Sequence, residues 1–156
     1  MIIDTTYLLP LARIDVDTNL LEAMVKGKVN IKMEEIAVSL ISLFELQAKA
    51  AKLGVAPSIV SEALEAVKKA FRVIPFYAEK VVEVSFSLRR KIPDYIDCVI
   101  LATAIVLGED LATEDSLIHS KKSLIEKEYR VKIHSFSSLV KKTRPVSYRK
   151  ARQESL

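Results

Sequence analysis

The chain has 156 residues, of which 50% are hydrophobic, a net charge of +4 and a single cysteine. This length suits one domain with a full hydrophobic core, and the hydrophobic content argues against a disordered chain. One thiol cannot form an intramolecular disulfide, and the sequence has neither a signal peptide nor an apolar run of about 18 residues that could span a membrane. We therefore expect a cytoplasmic protein.

Charge is unevenly distributed along the chain. Residues 1–120 contain thirteen Lys and Arg and seventeen Asp and Glu, a net charge of −4, whereas residues 121–156 contain eleven and three, a net charge of +8. A basic end is typical both of a nucleic-acid contact and of a solubilising tail, and charge alone favours neither. We expect one domain at residues 1–140 and a basic, flexible tail at 141–156.

Segments with strand patterns and helix patterns alternate along the chain. The predicted strands are 1–4, 35–42, 72–76, 109–113 and 129–136. The predicted helices are 17–28, 42–54, 57–71, 78–91, one that begins at Asp94 and stops at Gly108, and 116–129. This alternation predicts a parallel sheet with helices on both faces. The apolar run 96–107 further predicts a helix that is covered on most sides.

Four acidic residues lie next to apolar segments, at the ends of predicted strands or in the first turns of predicted helices: Asp4, Glu45, Asp97 and Asp115. Each position also has a local explanation. Asp4 and Asp115 can cap the helices that follow them, and Ser42 and Glu45 have the spacing of a capping box. Asp94, three residues before Asp97, can cap the apolar helix. Taken singly, each acid is explained by its own helix.

Taken together, the four acids predict one site. In a parallel sheet the carboxyl ends of all strands lie at the same edge, and ligands bind in the crevice outside that edge. Carboxylates that converge there repel one another and raise their pKa values unless a cation neutralises them. Hard oxygen ligands suit Mg²⁺ or Mn²⁺. Such ions activate water and stabilise a phosphoryl oxygen, which is the chemistry of phosphodiester hydrolysis.

Three stretches of the sequence carry a resemblance to a known family, namely IIDTTYLL, SLFEL and IDCVILATAIVLGEDLATED. In the last stretch an Asp opens an apolar helix, a Gly follows after about three turns, and a strand ends in Leu-x-Thr-x-Asp. Over residues 1–136 the sequence resembles the PIN domain family, which includes VapC-type toxins of prokaryotic toxin–antitoxin pairs. The resemblance implies an α/β fold, a three-layer α/β/α sandwich with a mainly parallel central sheet.

The resemblance also implies an activity and its residues. It implies a metal-dependent endoribonuclease whose catalytic acids, which would bind one or two Mg²⁺ or Mn²⁺ ions, are Asp4, Glu45, Asp97 and Asp115. Thr6, Thr113 and the extra acid Asp94 would support these acids or position water. The implied partners are an RNA substrate, a second copy of the chain in a homodimer or larger homo-oligomer, and, for a toxin, a small antitoxin protein whose C-terminal segment covers the cleft.

Basic residues leave a second interpretation open. Arg89, Arg90 and Lys91 are placed either to hold the RNA backbone or to complement the dipole at a helix end. With the basic tail, they motivate an alternative in which the chain keeps the fold but acts as a non-catalytic RNA-binding or scaffold subunit. Cys98 is expected in the core.

Overall fold

Strands and helices alternate as predicted in the computed structural model, which describes residues 1–140. The strands are β1 (Ile2–Ile3), β2 (Ala37–Ser39), β3 (Arg72–Ile74), β4 (Leu111–Ala112) and β5 (Ile133–His134). Within the described residues, all strand pairs are parallel and the sheet order is β3-β2-β1-β4-β5. The chain moves outwards from β1 to β3 and then returns to the other side of β1, which makes a topological switch point between β1 and β4.

Helices connect these strands and cover the sheet. The α-helices of residues 1–140 are α1 (Leu20–Val25), α2 (Leu40–Lys52), α3 (Pro57–Ala70), α4 (Glu79–Leu88), α5 (Tyr95–Leu107), α6 (Ser116–Ser120), α7 (Lys122–Tyr129) and α8 (Phe136–Leu139). Short 3-10 helices follow β1 and precede β2, at Thr5–Ala12 and Met33–Glu35. None of the helices in this part of the chain has the length and apolar character that crossing a bilayer requires.

Two hydrophobic cores form because successive strand residues face opposite sides of the sheet. In β1, Ile3 belongs to the core that includes residues of α1, α2 and α3, whereas Ile2 belongs to the core that includes residues of α4 to α7. In β4, Ala112 and Leu111 divide in the same way, and all four side chains are fully buried. The predicted three-layer α/β/α sandwich is confirmed, and the sheet is entirely parallel in the described residues.

The apolar helix α5 is covered on all sides along its middle, as predicted. Its residues 98–104 are buried without interruption, and this run includes Cys98, whose Sγ–H donates to the Ile92 carbonyl. Asp94 caps the helix by accepting the backbone N–H groups of Ile96 at 2.8 Å and Asp97 at 3.3 Å. Gly108 ends the helix in the left-handed region, with φ of 62°, which favours glycine.

The boundary between β2 and α2 differs from the prediction. The strand ends at Ser39, which is the cap residue of α2, so Ser42 lies inside the helix as a buried residue and Glu45 lies in its second turn. The capping-box interpretation of Ser42 and Glu45 is therefore wrong. The physical reason is that the apolar run of the buried strand β2 continues into the apolar residues Leu40 and Ile41 at the start of α2, so periodicity cannot separate the two elements.

Two other segments are also shorter than predicted. The predicted helix 116–129 is interrupted at Lys121 and forms α6 and α7. Arg130 then takes a left-handed conformation with φ of 58°, which ends α7 and delays the last strand until Ile133. The predicted tail at 141–156 lies outside the described residues, so its character and the domain boundary at residue 140 stay predictions.

Candidate active site

A cleft of about 350 Å³ lies at the carboxyl edge of the sheet, at the switch point between β1 and β4. It is lined by Asp4, Thr6, Glu45, Lys49, Asp94, Asp97, Glu114 and Asp115. The four predicted acids and two of the predicted supporting residues, Thr6 and Asp94, therefore share one cleft. A larger groove of about 560 Å³ lies between the first 3-10 helix, α1 and α3, but its lining is mostly apolar, so we place the chemistry in the smaller cleft.

The buried hydroxyl of Thr113, which is not among the residues that line the cleft, joins the two strand ends. It donates to Asp4 Oδ2 at 2.8 Å and accepts the backbone N–H of Asp115 at 3.1 Å. Asp4 Oδ1 accepts the backbone N–H of Thr5, and Asp115 Oδ1 accepts that of Ile118, so both acids also cap the helices that follow them. The predicted supporting residue Thr113 thus connects two of the candidate ligands directly.

Burial and mutual repulsion act on the cleft carboxyls. Burial raises the pKa of Asp4, which is only 8% exposed, and the hydrogen bond from Thr113 opposes that rise. The half-buried Asp97 has its pKa raised to about 7, first by burial and then by the charges of Asp115, Asp94, Asp4 and Glu45. Within residues 1–140 no hydrogen-bond donor contacts the Asp97 carboxylate oxygens. A positive charge in the cleft would relieve this cost.

Lys49 is a cleft residue that the sequence analysis missed. Its ammonium lies 3.2 Å from Glu45 Oε1, one turn further along α2. The lysine also lowers the pKa of Asp4, although this effect is smaller than that of burial. The signal that could have found it is the i,i+4 spacing from Glu45, which places both side chains on one face of the helix.

Glu114 is a second cleft residue whose contacts were not predicted. Its Oε1 accepts the hydroxyl of Tyr7 and the backbone N–H of Phe136, each at 2.5 Å. Burial, followed by this bond to Glu114, raises the pKa of Tyr7. Glu114 therefore ties the wall of the cleft to the first 3-10 helix and to the start of α8.

The three basic residues at the end of α4 do not line the cleft. Arg89 is the C-cap of α4, and both Arg89 and Arg90 are exposed. Lys91 pairs with Glu128 at 2.5 Å and lies 5.7 Å from the centre of the Tyr129 ring. The structure gives Lys91 local partners and places Arg89 at a helix end, and a role of the three residues in RNA binding stays a prediction.

The donor set of the cleft fits a hard divalent cation, because carboxylate and hydroxyl oxygens dominate its lining. In the part of the chain that the structure describes, no three Asp, Glu, His or Cys side chains form a ready-made ligand set. Three of the acids contact donors of the protein instead. Asp4 accepts from the Thr113 hydroxyl, Asp115 accepts from the Ile118 backbone N–H, and Glu45 pairs with the Lys49 ammonium. The fit to Mg²⁺ or Mn²⁺ thus rests on the chemistry of the donors.

The raised pKa of Asp97 predicts a pH-dependent stability for the metal-free protein. A carboxyl whose folded pKa lies above its unfolded value stabilises the fold at low pH, and this stabilisation is lost as the pH rises from about 4 to about 7. Asp97→Asn should therefore be more stable than the parent at pH 8, by about 1–2 kcal/mol given the partial exposure of the carboxyl, with a smaller gain at pH 5. The measurement is chemical unfolding in EDTA.

The matched control for this experiment is Asp15→Asn, which changes an exposed aspartate outside the cleft. Its effect on the free energy of unfolding should be the same at pH 5 and pH 8. An Asp97→Asn variant that behaved like this control would contradict the electrostatic cost assigned to the cleft.

Comparison with known proteins places these features in a family. Similar solved structures include a toxin–antitoxin complex from Klebsiella pneumoniae (22% identity, TM-score 0.56, covering 74% of this chain and 86% of that one). FitAB bound to an IR36 DNA fragment has 18% identity and a TM-score of 0.61, with 91% and 99% covered. VapBC2 from Rickettsia felis, bound to a DNA fragment from its promoter, has 20% identity and a TM-score of 0.54, with 86% and 96% covered.

At these identities the three structures establish the fold alone. No curated protein matches the sequence. The model of the PIN domain family matches residues 1–123, which hold β1 to β4 and every residue that lines the cleft. The chain therefore belongs to the PIN domain family, whose members are nucleases.

Proposed function

We propose that this chain is a divalent-metal-dependent endoribonuclease that cleaves phosphodiester bonds in single-stranded or structured RNA. The observation that carries the proposal is the cleft, where six carboxylates line a single space at the switch point of a parallel sheet. Membership of a nuclease family supports the same reaction. A cluster of this kind costs stability through repulsion, and a bound cation offsets that cost.

The residues that would hold one or two Mg²⁺ or Mn²⁺ ions are Asp4, Glu45, Asp97 and Asp115. When bound, such an ion supplies an activated water and neutralises charge on the phosphoryl oxygen. Contacts within the protein orient the candidate metal ligands before an ion binds. Thr113 directs Asp4, the backbone N–H of Ile118 directs Asp115, and the buried helix α5 fixes the backbone of Asp97. Thr6 lines the cleft and offers a hydroxyl for a water or a phosphate oxygen.

The two aspartates at the start of α5 provide the sharpest test of this assignment. Asp97→Asn should lower the rate of RNA cleavage more than about 100-fold, since even the partners of metal ligands contribute about 10–100-fold. Asp94→Asn should keep most of the activity, because its main role is to cap the helix and asparagine caps equally well. The measurement is cleavage of an end-labelled RNA with Mn²⁺ or Mg²⁺, compared with EDTA.

Equal rates for the two variants would contradict this division of roles. If the parent binds RNA without any metal-dependent cleavage, and deletion of residues 141–156 abolishes the binding, the alternative of a non-catalytic RNA-binding subunit is favoured instead.

We further propose that the chain acts as the toxin of a toxin–antitoxin pair, with a small antitoxin protein as its partner. Support comes from the three similar structures, which are a toxin–antitoxin complex and the FitAB and VapBC2 assemblies. Expression of the parent should arrest bacterial growth, whereas Asp97→Asn should not. Co-expression of a small protein encoded directly upstream should restore growth and yield a complex with the parent. Growth arrest by both the parent and Asp97→Asn would contradict the proposal.

Self-association is proposed through the outer surface formed by α4 and the start of α5. The side chains of Phe86 and Tyr95 are exposed there, at 67% and 42%, and their rings lie 5.9 Å apart. Such a cluster is typical of protein interfaces. The parent should have the mass of a dimer or larger oligomer in light scattering, and Phe86→Lys should reduce that mass.

Phe44→Lys is the matched control, because Phe44 is similarly exposed at 62% but lies on α2. This variant should keep the mass of the parent. A monomeric parent, or a loss of mass in both variants, would contradict the assignment of this surface.

A further inference from the structure

One basic side chain reaches a cleft that is otherwise lined by six acids and a threonine. Lys49 is the one Lys or Arg among the lining residues of the cleft within residues 1–140. Its side chain is 44% exposed, so the ammonium is in contact with both the cleft and solvent. Helical side chains lean towards the N-terminus of their helix, and this direction brings Lys49 Nζ to 3.2 Å from Glu45 Oε1.

The ion pair with Glu45 does not use all the donors of this lysine. An ammonium has three N–H donors, and one of them suffices for Glu45. Lys122 and Glu126 form a comparable i,i+4 pair on α7, at 3.7 Å and with Lys122 42% exposed, but neither residue lines the cleft. Both lysines thus pair with a glutamate four residues away and are similarly exposed, but only Lys49 lines the cleft.

A polyanion that enters this cleft meets strong repulsion from the carboxylates. Divalent ions would remove part of that repulsion at the acids themselves, but a nucleic-acid strand carries a negative charge at every phosphate. A lysine at the wall supplies a compact positive charge and several donors, which suits a single phosphate group. Glu45, only 18% exposed, limits how far the ammonium can move.

We propose that Lys49 binds a non-bridging oxygen of a backbone phosphate next to the cleaved bond and that Glu45 positions it for this contact. The inference rests on the nuclease function proposed above and adds a substrate-binding residue to it. Glu45 then has two roles, as a candidate metal ligand and as the anchor of the lysine.

Binding of RNA without cleavage tests this contact. The background is the Asp97→Asn protein, the probe is a fluorescent single-stranded RNA, and binding is followed by anisotropy with Mg²⁺ over a range of KCl concentrations. In this background Lys49→Met should weaken binding about 3–10-fold, and the slope of log K against log salt should fall by about 0.7, the value for one phosphate contact in a single strand. Lys49→Arg should retain affinity and slope, because it keeps the charge.

Lys122→Met is the matched control and should change neither affinity nor slope. In the cleaving parent, Lys49→Met should raise KM with a smaller effect on kcat, and Mn²⁺ binding measured by calorimetry should not weaken. Unchanged affinity and slope in Lys49→Met would overturn the proposal. A loss of Mn²⁺ binding would also overturn it, because Lys49 would then act by organising the carboxylates.

Failure of the proposed nuclease function and failure of the Lys49 contact give different results. If the parent cleaves RNA and Lys49→Met changes neither KM nor the salt slope, only the lysine contact is refuted. If the parent does not cleave RNA but the salt slope depends on Lys49, the phosphate contact is supported and the catalytic function is refuted. RNA that fails to bind the Asp97→Asn protein at any salt concentration overturns the contact.

Discussion

The hydrogen bonds of the Thr113 hydroxyl are the constraint on which the cleft depends. A single side chain, 1% exposed, donates to the carboxylate of Asp4 and accepts the backbone N–H of Asp115. It can do so because β1 and β4 are neighbours, with Ile3 opposite Ala112 in the parallel register. His119 Nε2 donates to the Thr113 carbonyl at 2.7 Å and further restricts this position. The sheet order and the spacing of two acids are therefore linked through one residue.

The carboxylates of the metal-free cleft destabilise the fold. Burial raises the pKa of Asp4, and burial with neighbouring charges raises that of Asp97, so the metal-free cleft holds its carboxylates at a cost. Hydrophobic packing elsewhere compensates for this destabilisation. It comes chiefly from the continuous buried run 98–104 of α5 and from the two cores on either side of the sheet. Lys49 offsets a part of the repulsion from within the protein.

The sequence predicted most of the fold because its strongest signals are local. Alternation of strand and helix patterns implied the parallel sheet, and Asp94 and Gly108 marked both ends of α5. The gathering of Asp4, Glu45, Asp97 and Asp115 followed from the rule that ligands bind at the carboxyl edge of such a sheet. The start of α2 was not predictable from the pattern, because the apolar residues of its first turn continue the apolar character of β2.

Contacts between distant side chains could not be predicted in this way. That Glu114 accepts from Tyr7 and Phe136, and that Lys91 turns to Glu128, depend on rotamers and on how helices pack. Lys49 falls between these cases, since its spacing from Glu45 was visible but the direction of its side chain was not. The local rules thus located the acids, and the tertiary structure was needed for the groups that surround them.

The position of β1 beside β4 also sets the time at which the cleft can form. Asp4 and Thr113 are 109 residues apart in sequence, so their contact closes most of the chain into one loop. Contacts of such separation form late, after the entropy of loop closure has been overcome. During synthesis the first acid emerges near the start and the last strand-end acid only after β4, so a nascent chain has no complete cleft. Under the proposed ribonuclease function, this order withholds the cleft from ribosomal RNA and messenger RNA until translation of the domain is nearly complete.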